Sequence, residues 1–362
     1  MGILLISDYH RLPSRNHYCS LKVDLMVDIV GRAIPRNRFD EILRFLHIAN
    51  SQRLDPNDRM GKLRPMMDYL QDVFQKAYIP EQHISFDESM VAYYGCKQFI
   101  RSKPIRFGFK NFCLCTPLGY LIAFDTYQGK TYRRKDYDNF GKGGGCFLNI
   151  IDSLQYDLNK LSTIFYCDNY FTGMPLIVEL SHRGQGLIGT IQDNRIPKKQ
   201  ILSSATAMKK VPRGESALAY DSANKPVLCR WKDNTVVTLA SNVVADNAIQ
   251  MTNCWSSKER KNIAITQPMY VRDYNCHMGG VDRLDQNISC YHTSLRKKKW
   301  WFSSFTWMLD ATVVKSYYIF KQKHPDVSFL DFCREIVLFY LQGSQPVPSR
   351  PGPSRNRSEI AK

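Results

Sequence analysis

Apolar positions along the chain change period near residue 80. Before it they fall at helical spacing. Phe39, Ile42, Leu43 and Leu46 mark one amphipathic helix carrying Arg36, Arg38 and Arg44, and Met66, Met67, Leu70, Val73, Phe74 and Ala77 mark a second that stops before Pro80. The polar segment 50–65, with Pro56, separates them. From Ile84 the period drops to two. Residues 84–88 alternate, and strands at 107–115 and 120–127 follow, split by the turn-like Thr116-Pro117-Leu118-Gly119. Gly143-Gly144-Gly145 opens a helix through Phe147, Ile150, Ile151, Leu154 and Leu158. A short apolar strand at 163–167, a helix at 174–182 and a strand at 186–191 complete the series. Three strands in a meander, then helix–strand–helix–strand, predict a mixed α/β sheet.

Residues 192–275 break this rhythm. The stretch is rich in Lys, Asn and Ser, and Trp231-Lys232-Asp233-Asn234-Thr235 reads as a hairpin between two β-branched runs. It is expected to be a strand-bearing insertion. Helices are expected near 281–292, 298–322 and 328–341, and the Pro-, Ser- and Arg-rich tail is expected to be disordered. The resulting division is a helical region at 1–80, a core at 81–191 and 276–341, an insertion at 192–275 and a basic tail at 342–362.

Composition permits a buried core, with 44% hydrophobic and 12% aromatic residues. Charge narrows the partners. Fifty Lys and Arg against 33 Asp and Glu give +17, which attracts polyanions, either nucleic acid or an anionic membrane; a solvated basic surface is the plain alternative. The apolar run Ile3-Leu4-Leu5-Ile6 ends at Ser7-Asp8, too short for a signal-peptide core or a spanning helix. Met1-Gly2 is followed by Ile at position 6, where myristoylation wants Ser or Thr. These features argue against a membrane and for a soluble intracellular protein. The 11 cysteines contain no C-x-x-C and read as reduced thiols rather than a disulfide framework. Cys276, His277, Cys290 and His292 match no standard zinc spacing.

Three aspartates stand in settings that need explanation. Asp87 lies in the alternating Ser-Phe-Asp-Glu-Ser, Asp168 directly follows the apolar strand, and Asp282 in Val-Asp-Arg-Leu-Asp precedes Asp285 by nearly one helical turn, so both face one way. Phosphodiester chemistry needs an activated nucleophilic oxygen and a stabilised leaving oxygen. Two Mg²⁺ ions held by a few carboxylates supply both. Without a cation, crowded carboxylates repel and take up protons. Each aspartate also has a structural reading: a turn cap at Asp87, a turn pair at Asp168-Asn169, a helix N-cap at Asp282 after Gly279-Gly280.

The strings FDESM around Asp87, CDNYFTG around Asp168 and MGGVDRLDQN around Asp282 resemble, in order, the three motifs of the piggyBac transposase family. PRNRFDEILRFLHIAN is similar to that family's N-terminal helical region, and the resemblance runs from about residue 2 to residue 340. It implies an RNase H-like mixed-sheet catalytic core with an insertion domain, and an Asp-Asp-Asp triad at Asp87, Asp168 and Asp282. Asp285 is implied as a further acidic residue for Mg²⁺ or Mn²⁺. It also implies cut-and-paste transposition at TTAA through hairpinned ends, acting on double-stranded DNA as a homodimer in the nucleus. The triad is expected to meet in one metal-sized cluster. Met1 falls inside the family's N-terminal region, so a shortened N-terminus is expected, and only Cys333 lies beyond Cys290 where the family carries a cysteine-rich zinc domain. The second reading is a domesticated, catalytically silent DNA- or chromatin-binding module.

Two basic runs flank these carboxylates. Lys97, Arg101, Lys103, Arg106 and Lys110 are interleaved with Phe99, Phe107 and Phe109. Arg296, Lys297, Lys298 and Lys299 precede Trp300-Trp301 at the start of an expected helix, where the macrodipole disfavours cations, so an anionic partner such as phosphate is indicated. Trp300 offers a stacking face for an unpaired base, and one of the two tryptophans is expected in the core.

Overall fold

The period-two segments from 83 to 190 form a sheet that three further strands, between Ser216 and Ser241, extend. The computed structural model describes residues 1–93, 95, 98–101, 103–129, 135–197, 202–220, 226–243, 248–257, 259–295 and 298–343. Lys97, Arg296, Lys297 and the tail beyond Gly343 lie outside them. The chain opens with α1 (Gly2–Tyr9), α2 (Asp28–Ala33), α3 (Arg36–Phe45) and α4 (Arg64–Ala77). The strands β1 (His83–Ala92), β2 (Gly108–Cys115) and β3 (Leu121–Thr126) follow, then α5 (Gly141–Ile151), β4 (Ile164–Cys167), α6 (Met174–His182) and β5 (Gly186–Thr190). Next come α7 (Ala205–Met208), β6 (Ser216–Tyr220), β7 (Val227–Lys232), β8 (Val236–Ser241), β9 (Ile249–Ser256) and β10 (Lys261–Pro268). Four helices close the chain: α8 (Met269–His277), α9 (Gly280–Cys290), α10 (Phe302–Lys323) and α11 (Phe329–Gln342).

Two compact units divide these elements, one of Met1–His47, Tyr291–Lys298 and Ser316–Lys362, the other of Ile48–Cys290 and Lys299–Lys315. In the first, the apolar run Ile3 to Ile6 forms the buried body of α1, packed against α11. Gly2 approaches Leu341 of that helix so closely that a Cβ would meet its Cγ at 2.6 Å.

The second unit holds the sheet, in the order β3-β2-β1-β4-β5-β8-β7-β6, with β9 and β10 as a separate two-stranded pair. β1, β2 and β3 are antiparallel neighbours, while β4 and β5 run parallel to β1. That is the mixed order of an RNase H-like core. Strands read as an insertion therefore continue the sheet through β8, which pairs antiparallel with β5. The expected hairpin turns at 233–235 between β7 and β8.

Alternation along β1 separates two chemistries. Phe86 packs edge-on to Phe147 of α5 at 5.0 Å and to Phe171 at 4.6 Å. The opposite-facing Ser85 and Ser89 lie beside α9. Gly280 explains how close that helix comes. A Cβ there would meet Ser85 Oγ and the Thr116 carbonyl oxygen, both at 2.3 Å. Gly280→Ala is therefore expected to lower stability by about 1–3 kcal/mol, read as a urea midpoint shift at constant m. An unchanged midpoint would mean that α9 can move off the sheet freely.

Three expectations need correction. α5 stops at Ile151, short of Leu154 and Leu158. Long-range polar contacts take over beyond it: Gln155 N–H donates to Gln75 Oε1 at 2.7 Å, and the Tyr156 hydroxyl, with one proton to donate, lies 2.6 and 2.8 Å from the Gln75 and Tyr78 carbonyl oxygens. The helix expected from 298 begins at Phe302, so Lys298 and Lys299 precede it. Residues 269–275, read within the insertion, belong to the helix α8, which packs on β1, β5 and β10.

Candidate active site

Register brings the first two aspartates together. Phe86 pairs with Cys167 across the parallel β1–β4 ladder, so the next residues, Asp87 in β1 and Asp168 just past the end of β4, come level. Asp168 directly follows β4 and organises its own loop. Its Oδ1 accepts from Tyr170 N–H at 2.8 Å, and its carbonyl accepts from Thr172 N–H at 3.1 Å and the Thr172 hydroxyl at 2.9 Å. The structural turn and the candidate chemical role thus coexist in one residue. Gly143 of α5 lets this loop sit down, since a Cβ would meet the Tyr170 carbonyl oxygen at 2.3 Å. From outside, Arg195 Nη1 lies 2.9 Å from each of the carbonyl oxygens of Asn169, Tyr170 and Thr172. Nothing in the local sequence marks Arg195 for this clamp, because its partners lie more than twenty positions upstream.

The third aspartate arrives on α9. Asp282, in the first turn, accepts from Lys103 Nζ at 3.1 Å, and the same ammonium lies 3.2 Å from Asp87 Oδ2. One turn on, Asp285 Oδ1 accepts from the Ser89 hydroxyl at 2.6 Å. Burial pushes Asp285 up to about 6. Asp168 is likewise raised, first by burial and then by the Asp87 charge, against the pull of the Tyr170 and Phe171 N–H groups. Burial opposes the Lys103 ammonium, yet Asp87 and Asp282 hold it above its ordinary range. The Lys103 and Asp87 side chains are 16% and 14% exposed, whereas that of Asp282 is 72% exposed.

Glu88, beside Asp87 in the FDES string, was not among the residues singled out from sequence. Burial first, then the Asp87 charge, push it up to about 7, and Oε2 has no hydrogen-bond partner among the described residues. Alternation sets Glu88 on the Phe86 face of β1, and its burial there is a property of the packed sheet that the local string does not show.

The expected three-carboxylate cluster is not formed in this conformation. Among the described residues no group of three or more His, Cys, Asp or Glu side chains is spaced to hold a metal ion. Instead the Lys103 ammonium stands as a cation between Asp87 and Asp282. The donors themselves fit Mg²⁺ or Mn²⁺: hard carboxylate oxygens at a place that already accommodates a positive charge.

The basic residues divide by position. Arg101 and Arg106 are exposed, and Lys103 turns inward onto the carboxylates. Lys110 lies over the rings of Tyr170 and Phe112, at 5.3 and 5.8 Å, and is half-buried. Lys298 is exposed, Lys299 lies 5.3 Å from the Trp301 ring, and Trp301 is core. Trp300 is half-buried, its ring 5.9 Å from that of Phe109. No described helix is long and apolar enough to cross a membrane.

Residues 1–317 match the family Transposase IS4. The chain belongs to that transposase family. Within it the similarity is to piggyBac-derived proteins, as the three motifs implied. PiggyBac transposable element-derived protein 3 of Homo sapiens is 36% identical over 364 residues, covering 99% of this chain and 61% of that protein. PiggyBac transposable element-derived protein 2 of Homo sapiens is 32% identical over 360 residues, covering 98% and 60%. The chain thus spans about three-fifths of the length of these curated relatives. Its fold is similar to that in a cryo-EM structure of the piggyBac transposase synaptic complex with hairpin DNA. The TM-score is 0.74 at 21% identity, covering 96% of this chain and 72% of that one.

Proposed function

We propose that this transposase-family chain cleaves and transfers DNA strands, using Mg²⁺ or Mn²⁺ held by Asp87, Asp168 and Asp282 with Asp285 alongside. The observation that carries the reading is the approach of acids from three distant elements: Asp87 level with Asp168 at the sheet centre, and Asp282 joined to Asp87 through one ammonium. When bound, the metal would polarise the phosphodiester and lower the pKa of an attacking water or hydroxyl. The chain's own residues do the rest. Asp168 is fixed by its loop and by Arg195, Asp285 by Ser89, and β1 sets the facing of Asp87. Arg101, Lys103, Arg106, Lys110, Lys298, Lys299 and Trp300, with Lys97, Arg296 and Lys297, are the candidate contacts to double-stranded DNA, by phosphate neutralisation and base stacking.

The same reading takes a homodimer as the working form and the nucleus as the place of action. It assigns 81–191 and 276–341 to catalysis, 192–275 to an insertion domain and 1–80 to dimerisation and DNA binding. A DNA bound by the relative in the synaptic complex supports the choice of substrate. The expected result is nicking of DNA with TTAA-flanked ends in Mg²⁺ or Mn²⁺ that vanishes on chelation. The silent DNA-binding module is favoured by one feature, the ammonium that neutralises two of the acids without metal. DNA binding without any metal-dependent nicking would select it and remove the catalytic reading.

A further inference from the structure

Lys103 sits on a loop whose base is fixed and whose tip is not packed away. At the base, Phe99 and Phe107 form an antiparallel bridge with rings 4.9 Å apart, and Ile100 N–H donates to the Arg106 carbonyl. Gln98 secures the same end: its Oε1 accepts from Lys110 N–H at 2.9 Å and its Nε2 donates to the Tyr127 carbonyl at 3.2 Å. Beyond that base, Arg101, Pro104, Ile105 and Arg106 are exposed. Among the described residues of the tip, Lys103 alone reaches inward, to one oxygen of Asp87 and one of Asp282. Movement of the tip would therefore give up those two ion pairs and little burial.

We infer that Lys103 is the resident counter-ion of the carboxylate site, and that its seating and divalent metal binding exclude each other. This rests on the reading of Asp87 and Asp282 as metal ligands. Mg²⁺ lies about 2.0–2.1 Å from its carboxylate oxygens. With the ammonium in place, cation and ammonium would share those oxygens within a few ångströms and repel through a mostly buried medium. Without the ammonium, Asp87 and Asp282 lose the cation that lies between them, and their like charges are left to repel. The metal-free protein therefore holds the lysine in, and the loaded one must release it on the hinge at Phe99 and Phe107.

The two halves of the inference move in opposite directions on substitution, which makes them testable without any cleavage assay. In Lys103→Met, the metal-free melting temperature is expected to fall by about 2–4 °C. The Mn²⁺ affinity measured by calorimetry on the full chain is expected to tighten about tenfold or more, the bias that one close charge exerts on a carboxylate. Lys103→Gln, which keeps donors but no charge, should tighten Mn²⁺ in the same direction, and Lys103→Arg should remain near wild type in both measurements. Unchanged or weakened Mn²⁺ affinity in both Lys103→Met and Lys103→Gln, with binding still abolished by Asp87→Asn, would overturn the exclusion and leave the metal site standing. Absence of Mn²⁺ binding in wild type and in every lysine variant would remove the metal site and this inference with it.

Discussion

Asp168→Asn is expected to keep the fold, raise the melting temperature of the metal-free protein slightly, and cut metal-dependent strand cleavage by about a thousandfold or more. The amide preserves the shape of the carboxylate and can still accept from Tyr170 N–H, so the loop from Asp168 to Thr172 stays closed under Arg195. What disappears is a charge that burial and Asp87 already disfavour, which is why the apo protein gains. It is also a charge that a divalent cation would need, which is why cleavage is lost. Single-turnover cleavage of end-labelled DNA, beside metal-free melts of both proteins, reads the two effects separately. Less than a tenfold loss of cleavage would take Asp168 out of the chemistry. A fall in the metal-free melting temperature would mean that its charge supports the fold.

The largest stability effect is expected outside the carboxylate site, at Lys315. This α10 side chain is 3% exposed, and its Nζ has no hydrogen-bond partner among the described residues. The nitrogen lies 3.2 Å from the centre of the Phe74 ring and 4.2 Å from that of Tyr120. Burial pushes the amine down to about 5. Because the folded pKa lies below the unfolded value, the unfolded chain binds the extra proton between the two, and stability rises with pH across that window. Each unit of the shift corresponds to 1.36 kcal/mol, so giving up the proton at neutral pH costs up to about 5 kcal/mol. That figure is an upper bound on the gain from removing the amine, because the lysine side chain packs against the Phe74 and Tyr120 rings and a methionine keeps only part of that contact. Lys315→Met, which keeps the stem and discards the amine, is therefore expected to gain on the order of 3 kcal/mol at pH 7. The gap to wild type should narrow as pH is raised toward 9. Urea unfolding of both proteins at several pH values tests this, and a gap that is flat with pH would mean that Lys315 is charged in the fold.

Which residues could carry chemistry, and which segments could build the sheet, is legible along the chain. Alternation at 84–88 put Asp87 on a strand, the apolar run before Asp168 put it at a strand end, and the three-residue spacing of Asp282 and Asp285 put both on one helical face. The family was legible for the same reason: its signature lies in short contiguous strings around those three acids. Local periodicity also drew the helices at 36–45, 64–77, 174–182 and 329–342 close to their actual bounds.

Tertiary structure decided everything that depends on partners distant in sequence. Whether α5 continued past Ile151 was settled by polar contacts to Gln75 and Tyr78, and whether β8 joined the main sheet by its pairing with β5. Lys103 looked like one cation in a basic run, because only the folded loop shows that it turns onto Asp87 and Asp282 while Arg101 and Arg106 stay exposed. Arg195, Glu88 and Lys315 carried no sequence signal at all, since burial and hydrogen-bond partners are properties of the packed chain. A pattern of periods one turn or one pleat long can state what a residue is and which way its element faces. The charge environment of a site is set over a few ångströms in space by residues up to two hundred positions apart, and it exists only once the sheet has closed its register and α9 has docked through Gly280.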